Sequence, residues 1–282
     1  MDLSRSLELG VVAAGAAILG SMLGLGGGVF LVPIFTLFFA IDQKLAIGAS
    51  AVAVVTNSIV GSTVHLRSRF TNLRLAMLLQ VTTALGASAG AIIALWARPN
   101  VINAVFGAVL VYASVSMLVR RRASPIPWDG GGPNPLRLGA TYRDPATSAM
   151  VAYRPERVPV GLAVSGLAGV MSGMLGIGGG AIQVPAMNLL MRVPVKAAAG
   201  TSSFMVGFAS VATASVFYAR GEIDPALVVP TVVGIFVGSQ LGSRLTRRVP
   251  TERLVVLFVL ILLYLGGSLL LRAAGITLPG QR

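Results

Sequence analysis

Residues 9–41 and 158–191 carry no charged side chain, and each stretch is too long for one ordinary membrane crossing. A continuous helix of that length would extend about 50 Å, whereas the hydrocarbon core of a bilayer is about 30 Å thick. Each stretch is interrupted by four glycines within five positions: Gly24, Gly26, Gly27 and Gly28 in GLGGG, and Gly176, Gly178, Gly179 and Gly180 in GIGGG. The pattern predicts broken helices, over residues 9–23 with 29–40 and 158–175 with 181–191, the pieces being short for full crossings on the second side of each break. Lipid tolerates no unpaired backbone, so such breaks at membrane depth must face protein or a water-filled cavity.

Six further charge-free runs lie between Lys44 and Arg67, Arg74 and Arg98, Arg98 and Arg120, Lys196 and Arg220, Asp224 and Arg244, and Arg253 and Arg272. Only 11% of the residues are charged, against about 25% in a soluble domain. The chain therefore reads as an all-α polytopic membrane protein of the cell (plasma) membrane. Its net charge of +13 is explained by membrane sidedness, and no nucleic-acid partner is expected. No separate signal peptide is expected, because the first apolar block runs past any cleavage point.

A shift of 152 residues superposes the two glycine clusters without a gap, and 13 of the 29 positions from Met22 to Ser50 are identical to Met174 through Ser202. Two homologous halves follow, a first transmembrane repeat over 1–120 and a second over 158–275, joined by a polar connecting segment over 121–157. Lys and Arg counts then bear on topology. If each glycine block crosses once, the two sides hold 14 and 8 basic residues; if each block re-enters and returns, they hold 16 and 6. The sharper asymmetry favours re-entrant, glycine-broken helices and an inverted repeat, with the connecting segment cytoplasmic and both termini outside. Inverted repeats with discontinuous helices bring their breaks together near the midplane, where substrate sites form.

The chemistry of such a site follows from its residue types. Helix starts at the breaks leave amide donors without intrahelical partners, a neutral cradle for a small oxyanion at Gly24, Gly26, Gly27, Gly28, Gly176, Gly178, Gly179 and Gly180. Pro33 and Pro185 stand five residues beyond each cluster, where each deletes one amide and loosens a carbonyl, giving a kink or a cation ligand. Lys44 and Lys196 head the following helices as entrance or snorkelling residues. Gly48 and Gly200 sit one turn further in, beside the hydroxyls of Ser50, Thr201 and Ser202. Asn57, and the unmatched amides Gln183 and Asn188, complete the candidate binding set. Specificity is expected at Gln183 and Asn188, since an unpaired buried amide is costly in apolar surroundings.

Absences narrow the chemistry further. The sequence has no cysteine and one histidine, His65, and no Asp or Glu lies inside an apolar block. A buried-carboxylate relay, a transition-metal site, a cofactor and an enzymatic nucleophile constellation are all disfavoured. In the connecting segment, Ala140 to Arg143 and Met150 to Arg154 flank a run of turn formers and are expected to pair as a small hairpin at the membrane surface.

The paired GLGGG...VP and GIGGG...VP motifs, each followed by a K.A.G.S segment, resemble the TauE/SafE family of sulfite exporters and anion permeases over nearly the whole chain. The resemblance implies a multi-pass carrier of small anions such as sulfite, thiosulfate or organosulfonates. The family motif falls on Gly24, Gly26, Gly27, Gly28 and Pro33, on Gly176, Gly178, Gly179, Gly180 and Pro185, and on Gly48, Ser50, Gly200, Thr201 and Ser202. Ala49 stands where the second copy has Thr201, so two-fold symmetric coordination is not implied. A secondary transporter working by alternating access is the expected function. An anion channel, a sodium- or proton-coupled organic-anion importer, and a non-transporting scaffold or sensor remain open alternatives. Membrane lipids are expected partners, a sodium ion or proton is a candidate coupling ion, and oligomeric state is left open.

Overall fold

Both long apolar blocks break where their glycines stand. A computed structural model describes residues 3–22, 27–67, 71–120, 138–143, 150–245 and 251–276. In chain order the elements are α1 (Leu3–Met22), α2 (Gly28–Phe38), α3 (Gln43–Arg67), α4 (Leu73–Trp96), α5 (Pro99–Arg120), β1 (Ala140–Arg143), β2 (Met150–Tyr153), α6 (Val158–Leu175), α7 (Gly180–Pro185), α8 (Val195–Ala219), α9 (Pro225–Leu245) and α10 (Thr251–Ala273). Among the described residues, α3, α4, α5, α6, α8 and α9 are long and apolar enough to cross a membrane. The chain is a multi-pass, all-α membrane protein.

One boundary differs from expectation. α1 begins at Leu3 rather than near residue 9, because the single charges Arg5 and Glu8 do not stop a helix whose end reaches the interface. α6, at 18 residues, spans about 27 Å by helical rise and is long enough to cross alone. The short arm after it changes its winding at Pro185: a π-helical turn covers Ala186–Leu190, and Met191 N–H reaches back five residues to the Ala186 carbonyl at 3.4 Å. Proline supplies no amide and crowds the preceding turn, which such a wider turn accommodates.

Each broken block folds back on itself. Arg5 donates to the Phe39 carbonyl at 3.3 Å, joining the start of α1 to the end of α2. In the second block, Glu156 N–H donates to the Met191 carbonyl at 3.0 Å, and the Arg192 and Glu156 side chains pair at 3.4 Å.

The halves are interleaved: α1 packs most extensively on α9, α6 on α4, α3 on α8 and α5 on α10. Small residues make these contacts close. A Cβ added at Gly86 would lie 2.3 Å from the Gly166 carbonyl oxygen, and one at Gly90 2.0 Å from that of Val170, so α4 and α6 run side by side in the same direction. Under the 152-residue shift the same contact recurs, with Gly238 on Ala14 and Gly242 on Ile18. Gly107 faces Gly266 and Leu270, whereas Gly266 also faces Leu110 and Val111, so α5 and α10 run in opposite directions. Close backbone approach through small residues is how helices associate in lipid. Gly90→Ala is expected to cost about 1–3 kcal/mol by overpacking, read as a lowered unfolding midpoint in detergent. Gly267→Ala, with nothing within 4 Å of its added methyl, leaves the midpoint unchanged or raises it.

The hairpin pairs Ala140 with Tyr153 and Arg143 with Met150 in antiparallel register. Leu138, Tyr142 and Tyr153 are buried with Leu75 and Leu79 of α4, Val184 of α7 and Met187 and Met191 of the arm that follows it, and Asn72 Nδ2 donates to the Leu138 carbonyl at 2.8 Å. Burial pushes the Tyr153 phenol up to about 12, helped by neighbouring Tyr142 and opposed by a hydrogen bond with Asn72. An exposed tyrosine ionises near pH 10. Hairpin docking is therefore at full strength below pH 10 and loses roughly 3 kcal/mol as pH climbs to about 12, each pKa unit being about 1.4 kcal/mol. In an alkaline titration followed by unfolding midpoint, Tyr153→Phe is expected to remove this loss.

Candidate functional site

The two glycine breaks meet inside the bundle. Ser50 of α3, fully buried, donates from Oγ to the Gly176 carbonyl at 2.8 Å and lies 3.5 Å from the Gly28 carbonyl, so one hydroxyl touches both breaks. One turn on, Val54 lies against both: a Cβ at Gly28 would stand 2.3 Å from Val54 Cγ2, and one at Gly178 2.9 Å from Val54 Cγ1 and 2.4 Å from Val206 Cγ1. Val54 and Val206 are counterparts under the 152-residue shift. The junction thus lies where the two repeats face each other.

Backbone geometry explains the glycines of the second break. Gly176, Gly178 and Gly179 have φ of +68°, +76° and +78°, a region that L side chains avoid. Gly176 closes α6 through its N–H to the Ser172 carbonyl at 2.8 Å, and the Gly179 carbonyl accepts from Ile182 and Gln183 N–H at 3.1 and 3.0 Å to open α7. Gly180 is the buried first residue of α7. In the first break, Gly27 and Gly28 are buried; a Cβ at Gly27 would meet Ile235 at 2.7 Å and Ala17 at 3.2 Å. Gly24 and Gly26 lie outside the described residues, as does the side chain of His65.

The polar candidates divide. Gln183, 1% exposed, donates to Thr83 Oγ1 at 3.3 Å and accepts from Ser202 Oγ at 3.4 Å, beside Gly179. Thr201 is set apart from this group, its Oγ1 accepting from Asn72 N–H at 3.0 Å. Asn57 accepts from Ser239 of α9, a contact between halves. Asn188 donates to the Val193 carbonyl at 2.9 Å, locking the turn after the short arm rather than joining the breaks. Gly48 packs on the Glu222 carbonyl before α9, and the Gly200 carbonyl accepts from Thr71 at 3.3 Å. Pro33 lies inside α2 and Pro185 ends α7. Lys44 and Lys196 stand in the first turns of α3 and α8, away from the junction.

The sequence reading missed Thr83, Ser172, Ser210 and Ser239. Ser210 Oγ is buried without a partner, 3.1 Å from the position of a Cβ on Gly178. Among the described residues no group of three or more His, Asp or Glu could hold a metal. The polar groups at the junction, among the described residues, are hydroxyls, one carboxamide and backbone, beside the apolar Val54, Val206 and Ile235.

The sulfite exporter TauE/SafE pattern matches residues 9–269. The chain belongs to the TauE/SafE family. Its relatives include "Probable membrane transporter protein YunE" of Bacillus subtilis, 26% identical over 90% of this chain and 93% of that one. A "Probable membrane transporter protein" of Xylella fastidiosa is 29% identical over 80% of this chain and 79% of its own length. "Probable membrane transporter protein MamO" of Magnetospirillum gryphiswaldense is 27% identical over 87% of this chain but only 42% of its own length. No solved structure matches the chain. As a TauE/SafE protein it is of a transporter family, not an enzyme.

Proposed function

We propose that this TauE/SafE protein is a secondary carrier of small oxyanions, of the sulfite and organosulfonate type, working by alternating access. The observation that carries the reading is the bridging of both glycine breaks by Ser50. Helices start at Gly28 and Gly180 beside that junction, and in this reading their first amides hold the anion without a buried cation.

Inverted halves are part of the proposal. α4 and α6 run in parallel and α5 and α10 in opposite directions, while short connections make α3, α4 and α5, and likewise α8, α9 and α10, alternate. These directions support a second half that is upside down relative to the first. Return of each broken block to its own end supports re-entrant hairpins. Rocking of one half against the other then exposes the junction to either side in turn. Cysteines introduced at Ser6 and Gly280 are expected to react with an impermeant external reagent in whole cells, and one at Ser124 only after permeabilisation; labelling of Ser124 from outside reverses the assignment.

Flux of labelled sulfite, sulfate and organosulfonates in proteoliposomes, with and without sodium and proton gradients, tests the function. A carrier saturates and shows counterflow; unsaturating conductance makes it a channel, and no anion movement leaves a scaffold or sensor.

A further inference from the structure

The second glycine break gathers buried polar side chains that have no equal at the first. Gln183, Thr83, Ser172 and Ser202 are each at most 1% exposed. Thr83 spends its own proton on the Leu79 carbonyl at 2.9 Å and so presents only lone pairs to the Gln183 amide, fixing which way that amide points. Ser202 reaches Gln183 Oε1 at 3.4 Å, long for a hydroxyl donor. Ser172 Oγ is buried and has no partner, although a buried hydroxyl is nearly always paired. A Cβ on Gly179 would lie 3.2 Å from Ser172 Cβ and 3.6 Å from Gln183 Nε2, so glycine leaves this space to the side chains around it.

The 152-residue shift turns Gln183 into Leu31, Thr83 into Ile235 and Ser172 into Gly20. Both members of the amide–hydroxyl pair thus have apolar counterparts around the first break, where Ile235 of α9 closes on Gly27. Ser50, the counterpart of Ser202, is bonded to Gly176. Among the described residues, the first break is packed by apolar side chains at this level and the second is left with donors.

We infer that the chain has a single, one-sided anion site formed by Gln183, Ser172 and Ser202, with Thr83 positioning the amide, and that it selects singly over doubly charged oxyanions. This rests on the carrier reading above. The cluster contains no cationic side chain, and the cost of burying an ion grows with the square of its charge, about fourfold from one charge to two. Neutral donors compensate one charge far better than two.

The test is calorimetric binding to the purified protein in detergent with methanesulfonate and sulfate, which share a tetrahedral shape and differ in charge. Methanesulfonate is expected to bind at least about tenfold more tightly than sulfate. The double variant Gln183→Leu with Thr83→Ile, which copies the surroundings of the first break, is expected to lose about tenfold or more in methanesulfonate affinity. Gln183→Glu, equal in shape but negative, abolishes binding while its circular dichroism stays that of the parent, separating site from fold. Leu31→Met, on the apolar counterpart, stays within about twofold of the parent. Equal binding of the two anions overturns the charge selection, and retained affinity in a folded Gln183→Glu protein overturns the site; either leaves anion carriage standing. A parent protein that neither binds nor moves any anion overturns the carrier reading itself.

Discussion

Gly178→Ala is expected to abolish anion flux in proteoliposomes and to lower the unfolding midpoint by several degrees. Two independent effects meet at this residue. Its φ of +76° costs an L side chain about 1–2 kcal/mol. Its methyl would also press to 2.4 Å from Val206 and 2.9 Å from Val54, and such overpacking costs about 1–3 kcal/mol. Together about 2–5 kcal/mol is a large share of a typical stability of about 5–15 kcal/mol, so a weakened protein still folds but with its junction displaced. Val206→Ala relieves the closest contact but leaves Val54 at 2.9 Å and the backbone strain, so the pair of changes recovers part of the midpoint and little of the flux. Gly61→Ala, with open space around its methyl, is the silent comparison. Wild-type flux and midpoint in Gly178→Ala would refute the view that this backbone conformation holds the site.

How much of this was visible in the sequence differs from element to element. The breaks were readable because four glycines in five apolar residues exceed what helix packing needs, and α2 and α6 lie within two residues of the expected pieces. Gln183 stood out as an amide in an apolar run opposite Leu31. Asn188 looked equally conspicuous, but its donor is spent five residues away on Val193; composition cannot distinguish a local lock from a site. Thr83 and Ser172 carried no signal, since hydroxyls in membrane helices routinely bond to carbonyls of the preceding turn, as Thr213 and Thr231 do here. The glycine stripes of α4 and α9 announced close packing without naming the partner. That partner belongs to the opposite repeat, and exchanged packing of this kind arises only when the halves are brought together.

A double variant offers the sharper test of the junction. Gly28→Ala alone is expected to cut flux by about tenfold or more, an effect of about 1.4 kcal/mol or greater on the rate-limiting step, because its methyl would stand 2.3 Å from Val54 Cγ2. Gly28 is not among the residues of positive φ, so lack of space is the whole difficulty, in contrast to Gly178. Val54→Ala removes the offending methyls, and Gly28→Ala with Val54→Ala should therefore recover most of the flux, with a favourable coupling of about 1–2 kcal/mol between neighbours. Recovery will not be complete, since the Gly176 carbonyl and Ser50 Oγ remain 3.0 Å from the added carbon. Those two contacts give the experiment its reach: Gly28 belongs to the first repeat and Gly176 to the second, so the methyl left after relief of Val54 still presses one break against the other. A double variant as inactive as the single one would mean that Val54 is not what confines Gly28, and would leave the contacts with the Gly176 carbonyl and Ser50 Oγ as the cause.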